Sequence, residues 1–178
     1  MTETKKTSMA KLVIVLCLIS AVIAGLLGLV NHITADKIAE LADQTAQAAM
    51  QEVLKADSYE EVDVPAGHGE VVALYKAGDA GYVADVIVAG SQGNIELMVG
   101  VDPAQVVTGV SIIASAETAG LGAKASDETW RAQFVGLSGN IAVTKDGGQV
   151  EAITASTITS RAVCDAVNAA LAAVADVA

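Results

Sequence analysis

The chain has 178 residues, of which 53% are hydrophobic, enough for one domain beside an apolar anchor. Its formal net charge of −11 argues against nucleic acid or anionic lipid as a partner, because both are negatively charged. The two cysteines form no Cys-x-x-Cys pattern and the two histidines are isolated, so no iron–sulfur or zinc site of familiar spacing is predicted. Redox chemistry would therefore need an added cofactor.

An uncharged apolar run occupies residues 12–30 near the start of the chain. At about 1.5 Å per residue a helix of this length nearly crosses a hydrocarbon core of about 30 Å, and residues 31–33 extend it to the interface. A cleaved signal peptide is the rival interpretation, but its apolar stretch is normally shorter and no clear Ala-x-Ala site follows. A lipoprotein signal is disfavoured because Leu16, not a small residue, precedes Cys17. We predict a single transmembrane helix over residues 12–33.

The charges that flank this run predict its orientation. Lysines outnumber acids before it, where the one acid is Glu3, whereas acids outnumber basic residues beyond it. Positive flanks stay in the cytoplasm, so residues 1–11 are predicted to be cytoplasmic and residues 57–178 extracytoplasmic. Residues 34–56 form the predicted helical stalk between them, with a loose apolar stripe over 36–56.

Residues 57–178 carry the pattern of an α+β domain with a mostly antiparallel sheet flanked by helices. Residues 57–69 are predicted as the passage from the stalk to the sheet. Runs rich in Val and Ile and broken by glycines predict strands at 70–76, 81–89, 95–101 and 106–115, with edge strands at 141–144 and 150–153. Residues 90–102 are interpreted as a hairpin without a ligand role. A short helix is predicted at 126–135, where Trp130 and Phe134 have the spacing of a packed aromatic pair.

The closing helix is predicted at residues 157–174. Its apolar residues recur on one face, namely Ile158, Ala162, Val163, Val167, Ala170, Leu171 and Val174. Hydroxyl residues crowd its start, and one or two of them suffice to cap the first-turn N–H groups. A helix start also suits a phosphate, because it carries free N–H donors and partial positive charge. The cluster is therefore either a helix cap or a phosphate site.

The segment Glu151-Ala-Ile-Thr-Ala-Ser-Thr-Ile-Thr-Ser160 resembles the flavinylation motif of the RnfG/NqrC family. In that family FMN is joined through its phosphate to a threonine hydroxyl. The resemblance implies that Thr157 is the acceptor and that Thr159 and Ser160 are the trailing hydroxyl pair. Ala155 and Ser156 stand where the family has Gly-Ala. Ala155 thus lacks the freedom of glycine at positive φ, and Ser156 is a competing acceptor.

A second segment, Glu117-Thr-Ala-Gly-Leu-Gly-Ala-Lys124, is similar to the family's Glu-Thr-Pro-Gly-Leu-Gly loop, with Ala119 in place of proline. In the family this loop lies against the flavin. The resemblance therefore implies cofactor contacts from Glu117, Thr118, Gly120, Leu121, Gly122 and Lys124. Taken alone, two glycines separated by one residue are equally typical of an ordinary turn.

Together the two motifs imply a membrane-anchored flavoprotein subunit with covalent FMN and no acid–base catalytic residues of its own. The resemblance favours the G subunit of an Rnf-type complex, which moves electrons between ferredoxin and NAD while pumping Na⁺ or H⁺. Implied partners are the other membrane subunits, membrane lipid and an FAD-dependent flavin transferase. The alternatives are the C subunit of the Na⁺-translocating quinone reductase, a flavin shuttle anchored alone, a pilin-like structural subunit and a non-catalytic binding module.

Overall fold

Helix α1 runs from Met9 to Val53 in the computed structural model, which describes residues 9–118, 120 and 122–178. Its apolar part has a mean hydropathy of 3.0 over the most apolar window, and 0% of that window is buried. Helix length and exposed apolar surface together fit a membrane anchor. The chain divides into two compact units, Met1–Gln44 and Thr45–Ala178, so the last turns of α1 belong to the second unit. The stalk helix ends three residues before the predicted position 56.

The second unit is built on one five-stranded antiparallel sheet with the order β1-β2-β3-β4-β5. This meander confirms the predicted α+β class, and four of its strands lie within a residue or so of their predicted positions. The short strand β1 falls in the segment predicted as a passage. The strands are β1 (Glu60–Val62), β2 (Val71–Lys76), β3 (Tyr82–Ala89), β4 (Asn94–Val101) and β5 (Val107–Ser115).

Helix α3 (Thr157–Ala175) covers one face of the sheet and forms the main core with it. Its apolar stripe is buried as predicted from Ala162 to Val174, since side chains at this spacing share one face. Ile158 is the exception, because 59% of its surface is exposed. Thr159 and Ser160 take the buried positions of the first turn instead. Although α3 is apolar enough to pass for a membrane span, 61% of it is buried within the domain, which identifies it as a core helix.

The last turn of α1 packs on the opposite face of the sheet. Gly109 and Gly100 leave room for it there, since a Cβ atom on Gly109 would lie 2.8 Å from the Val53 Cα. The Thr108 hydroxyl donates to the Val53 carbonyl over 2.7 Å. Glu52 accepts a hydrogen bond from the Ser111 hydroxyl (2.6 Å). The end of α1 is therefore part of the domain.

For the segment between β5 and α3, one prediction is wrong and another is confirmed only in part. The proposed edge strands at 141–144 and 150–153 share only one isolated bridge, Val143 with Val150, and it is parallel. Their apolar side chains are buried in the core beneath α3, so burial and not strand pairing accounts for the apolar pattern. The helix predicted at 126–135 is broken into helix α2 (Glu128–Arg131) between two 3₁₀ turns, Gly122–Ser126 and Ala132–Phe134.

Candidate functional site

The segment from Glu151 to Ser160, called the acceptor segment here because the motif resemblance offers it as the flavin attachment site, turns sharply into α3. Ala155 has a φ of 63°, in the left-handed region where the family motif has glycine. The Ser156 N–H donates to the Ile153 carbonyl over 2.9 Å, and the Ser160 N–H donates to the Ser156 carbonyl over 3.1 Å, where the helix begins. Ser156 occupies the N-cap position, but its hydroxyl makes no capping bond to the backbone. The hydroxyl-rich segment is therefore not explained by helix capping.

Three of the hydroxyls at this turn are directed into the protein. Ser156, Thr159 and Ser160 are 7%, 0% and 0% exposed. The Ser156 and Thr159 hydroxyl oxygens lie 2.8 Å apart. The Ser160 hydroxyl accepts from the Ile153 N–H over 2.9 Å and donates to the Ser156 carbonyl over 3.0 Å. These contacts satisfy the buried polar groups locally and fix the shape of the turn.

Thr157 differs from these neighbours because its side chain is partly exposed. Its hydroxyl oxygen accepts a hydrogen bond from the Lys145 ammonium group over 3.1 Å. Ser156, the other residue that the sequence offered as an acceptor, is 7% exposed. The two residues therefore differ in exposure.

Glu117 joins the glycine loop to the acceptor turn. One carboxylate oxygen accepts from the Thr159 hydroxyl over 2.8 Å. The other accepts from the backbone N–H groups of Ser91 (2.5 Å) and Gln92 (3.2 Å), in the turn between β3 and β4. The hairpin at 90–102, confirmed by the pairing of β3 with β4, therefore contributes to this cluster. Sequence reasoning assigned it no ligand role and missed this contact.

Two glycines make room for the Glu117 side chain. A Cβ atom on Gly90 would lie 2.2 Å from one carboxylate oxygen, and a Cβ atom on Gly122 would lie 2.3 Å from the other. Any side chain at either position would displace the carboxylate. The second glycine of the Gly-x-Gly pair is thus required by close packing, which an ordinary turn would not need.

The other described residues of the glycine loop are exposed, namely Thr118, Gly120, Ala123 and Lys124. Gly120 has a φ of 82° with open space where a Cβ atom would lie. The Ala123 N–H donates to the Thr118 carbonyl over 3.3 Å, which closes the loop. Leu121, a predicted contact residue, and Ala119 lie outside the described residues.

Trp130 and Phe134 form the predicted packed pair, with ring centroids 5.3 Å apart and planes at 74°. Residues of the same helical region also form hydrogen bonds with the start of the acceptor segment. The Trp130 indole N–H donates to the Glu151 carbonyl over 2.7 Å, and the Gln133 side-chain oxygen accepts from the Glu151 N–H over 2.8 Å. The Glu151 side chain itself is exposed. The acceptor segment is therefore fixed at both its beginning and its end.

Lys145 was not identified from the sequence, which showed only a Lys-Asp-Gly-Gly turn twelve residues before Thr157. The lysine lies on a 3₁₀ turn, Thr144–Asp146, that ends at Gly147 with a φ of 86°. Asp146 forms two hydrogen bonds with Arg161 of α3, over 2.6 and 2.7 Å. This contact is the main reason that the pKa of the Asp146 carboxyl lies below its usual range.

Two family models match parts of this chain. A family model for an FMN-binding domain matches residues 90–172, from the β3–β4 turn into α3. A model for the RnfG N-terminal region matches residues 1–53, which end at the last residue of α1. The FMN-binding domain thus includes Gly90, Glu117 and Thr157.

Several relatives match most of the chain. The G subunit of a Na⁺-translocating ferredoxin:NAD⁺ oxidoreductase complex from Acetobacterium woodii is 39% identical, over 89% of this chain and 87% of the relative. The G subunit of an ion-translocating oxidoreductase complex from Methanosarcina acetivorans is 36% identical, over 90% and 92%. Its counterpart from Salmonella typhimurium is 36% identical, over 88% and 86%. With an FMN-binding domain, an RnfG N-terminal region and relatives matched over most of their length, the chain belongs to the family of Rnf complex G subunits.

Proposed function

We propose that this chain carries one FMN, joined through its phosphate to the Thr157 hydroxyl, and passes electrons within an ion-translocating ferredoxin:NAD oxidoreductase complex. One observation carries the proposal. Among the hydroxyls of Ser156, Thr157, Thr159 and Ser160, that of Thr157 is partly exposed, whereas the other three are buried and hydrogen-bonded inside the domain. Of these four residues, Thr157 is therefore the accessible one, and it lies next to a lysine ammonium group.

The residues around Thr157 suit such a group. Glu117 fixes the glycine loop beside the acceptor turn, so an isoalloxazine ring attached at Thr157 would meet the exposed backbone at Thr118 and Gly120. Ile158 exposes 59% of its apolar surface next to the acceptor and can cover part of the ring. Bound FMN would supply reversible one- and two-electron chemistry. The polypeptide would orient the flavin and tune it through hydrogen bonds, with no proton transfer from its own side chains.

The proposed location is the cell membrane, with α1 as a single-pass anchor. The lysines before the apolar run favour a cytoplasmic N-terminus and an extracytoplasmic flavin domain. A covalent bond keeps FMN attached where the free cofactor is scarce. The proposed partners are the other membrane subunits, the surrounding lipid, and an FAD-dependent flavin transferase that installs the group.

Two other functions remain as alternatives to test. A C subunit of the Na⁺-translocating quinone reductase would carry the same covalent flavin, but the relatives described above are all named as G subunits. A flavin shuttle anchored alone would load FMN yet purify without other subunits. A pilin-like or purely structural subunit is disfavoured by the match to an FMN-binding domain.

The test is to express the full-length chain with a flavin transferase, purify it in detergent and denature it. We expect in-gel flavin fluorescence and a mass gain of one FMN moiety. Thr157→Val should lose both signals, whereas the matched control Ser156→Ala should keep them. A colourless wild-type protein would refute the flavoprotein proposal, and a signal lost only in Ser156→Ala would move the attachment to Ser156. Co-purification with the other subunits would separate the complex from the lone shuttle.

A further inference from the structure

We propose that Lys145 is a positioning residue for the flavin phosphate. Its ammonium group holds the Thr157 hydroxyl before attachment and pairs with the phosphodiester after attachment. This inference rests on the proposed function above, because it assumes that Thr157 is the acceptor. It goes further by naming the cation that recognises the phosphate.

The first argument is that the turn carrying Lys145 is anchored beside Thr157. Its nitrogen lies 3.1 Å from the Thr157 hydroxyl oxygen. The turn that carries it is tied to α3 by the paired hydrogen bonds between Asp146 and Arg161. Behind the turn, a Cβ atom on Gly148 would lie 2.0 Å from the Ala142 carbonyl oxygen, so the backbone packs closely there. The anchored turn thus places Lys145 beside the start of α3, where Thr157 lies.

The second argument is that the neighbouring polar groups are already committed. Thr159 and Ser160, the trailing hydroxyl pair of the motif, are fully buried and bond to Glu117 and to the Ile153 N–H. The Arg161 guanidinium pairs with the Asp146 carboxylate. Lys145, in contrast, donates to a neutral hydroxyl. Its charge is therefore placed to meet a phosphate on Thr157.

The chemistry of attachment explains why a cation is useful here. A bond forms between the Thr157 oxygen and the phosphorus of the FMN half of FAD, while the pyrophosphate P–O bond to AMP breaks. AMP leaves with the bonding electron pair, and the hydroxyl proton passes to a base on the transferase. The product is a phosphodiester with one negative charge beside the ammonium group. A charge-assisted hydrogen bond to this anion is stronger than the existing one to a neutral hydroxyl.

The experiment measures the rate at which purified full-length apoprotein is flavinylated by transferase and FAD, read by in-gel fluorescence and mass. The proposed ion pair between the Lys145 ammonium group and the flavin phosphate is exposed to solvent. We therefore expect Lys145→Gln to lower the rate about three- to tenfold at low salt and less at high salt. Lys145→Arg should restore most of the rate. Lys76→Gln removes the same charge from an exposed position at the far end of β2, and should react like wild type.

A second measurement reports the loaded state without relying on activity. The ³¹P resonance of the attached phosphate should shift in Lys145→Gln and stay unchanged in Lys76→Gln. Circular dichroism of the apoproteins verifies that each variant is folded before comparison. If Lys145→Arg were as slow as Lys145→Gln, a role for the charge would be refuted.

Failure of this inference can be told apart from failure of the proposed function. Wild type that stays colourless, or that is labelled elsewhere than at Thr157, overturns both. Wild type labelled at Thr157, with Lys145→Gln equal to it in rate and in ³¹P resonance, overturns only the role of Lys145. A slower Lys145→Gln with rescue by arginine supports both.

Discussion

The Thr159 hydroxyl donates a hydrogen bond to the Glu117 carboxylate over 2.8 Å, and this contact joins two segments 42 residues apart in sequence. The same carboxylate also accepts the Ser91 and Gln92 N–H groups. Three chain segments therefore meet at one side chain. Glu117 thus accepts hydrogen bonds from the acceptor turn and from the β3–β4 turn, which ties the two turns together.

Replacement of Glu117 by alanine should destabilise the protein by about 2–3 kcal/mol, because two backbone donors and one hydroxyl lose their acceptor. Glu117→Gln should cost only about 1 kcal/mol, since its oxygen can still accept from the Ser91 N–H while Thr159 reorients. Urea unfolding of the full-length protein in detergent, followed by circular dichroism, measures both. Glu61→Ala, at an exposed position of β1, is the control and should change little. Equal stabilities for Glu117→Ala and wild type would contradict this role.

Ala155 adopts a φ of 63°, so Ala155→Gly should relieve local strain. We expect a net gain of roughly 0.5–1 kcal/mol in unfolding free energy, after the added chain entropy of glycine in the unfolded state. Ala132→Gly is the matched control, because Ala132 is exposed and has a right-handed φ of −58°. That variant should lose about 0.5–1 kcal/mol. Thermal unfolding of both variants checks the opposite signs, and a loss in Ala155→Gly would argue against strain at this position.

Asp85 should make the domain less stable at neutral pH than at acidic pH. Burial, with a smaller contribution from the Glu96 charge, raises the pKa of its carboxyl to about 6. Among the described residues, one of its buried oxygens has no hydrogen-bond partner. The folded state therefore holds the proton more tightly than the unfolded state, whose pKa is near the ordinary value of 3.8. The stabilising contribution is complete below pH 3.8 and is lost as pH rises through about 6.

Asp85→Asn removes this titration and should be more stable than wild type at pH 8. The gain should be about 1 kcal/mol once the partial exposure of the side chain is discounted. The advantage should shrink as the pH falls below 6, which urea midpoints between pH 4 and 8 would reveal. Asp79→Asn, at an exposed turn, should leave the profile of wild type unchanged. A constant difference across this range would exclude titration of Asp85 as its cause.

The contact between Gly109 and the end of α1 gives a fourth prediction. A methyl group on Gly109 would lie 2.8 Å from the Val53 Cα and 3.0 Å from its carbonyl oxygen, and both are backbone atoms. Gly109→Ala should therefore destabilise the domain by about 1–3 kcal/mol, as overpacking does in well-packed cores. Gly69→Ala is the control, because a methyl group there would have no atom within 4 Å. Differential scanning calorimetry of the two variants compares them directly. Identical transition temperatures would show that α1 shifts freely.

The sequence pattern predicted the strands β2 to β5 well, because the apolar runs and the glycines that interrupt them are local signals. β3 and β4 pair residue by residue from Tyr82 with Val101 to Ala89 with Asn94, as the predicted hairpin requires. β1 was missed because its sequence, Glu-Glu-Val, has only one apolar residue. The apolar runs at 141–144 and 150–153 were misread because a core-filling irregular segment can be as rich in valine and isoleucine as a strand.

The residues of the candidate site could be predicted from the sequence only in part, and for a different reason. Motif resemblance brought Thr157 and Glu117 forward, and the structure places their segments together through Thr159. Hydropathy counting put Ile158 in the core, but hydroxyls that satisfy one another fill the buried positions of that turn. The contact of Lys145 with Thr157 depends on how a separate turn folds against α3, which no local pattern encodes.

The single tryptophan of the chain, Trp130, is hydrogen-bonded to the Glu151 carbonyl, at the start of the segment proposed to carry the flavin. Indole emission overlaps flavin absorption, so a cofactor attached nearby would quench the native fluorescence of the protein. Trp130 is thus an intrinsic fluorescence probe, by which flavin attachment could be followed in real time without an added dye. Loss of indole emission would signal modified molecules even where flavin emission is weak.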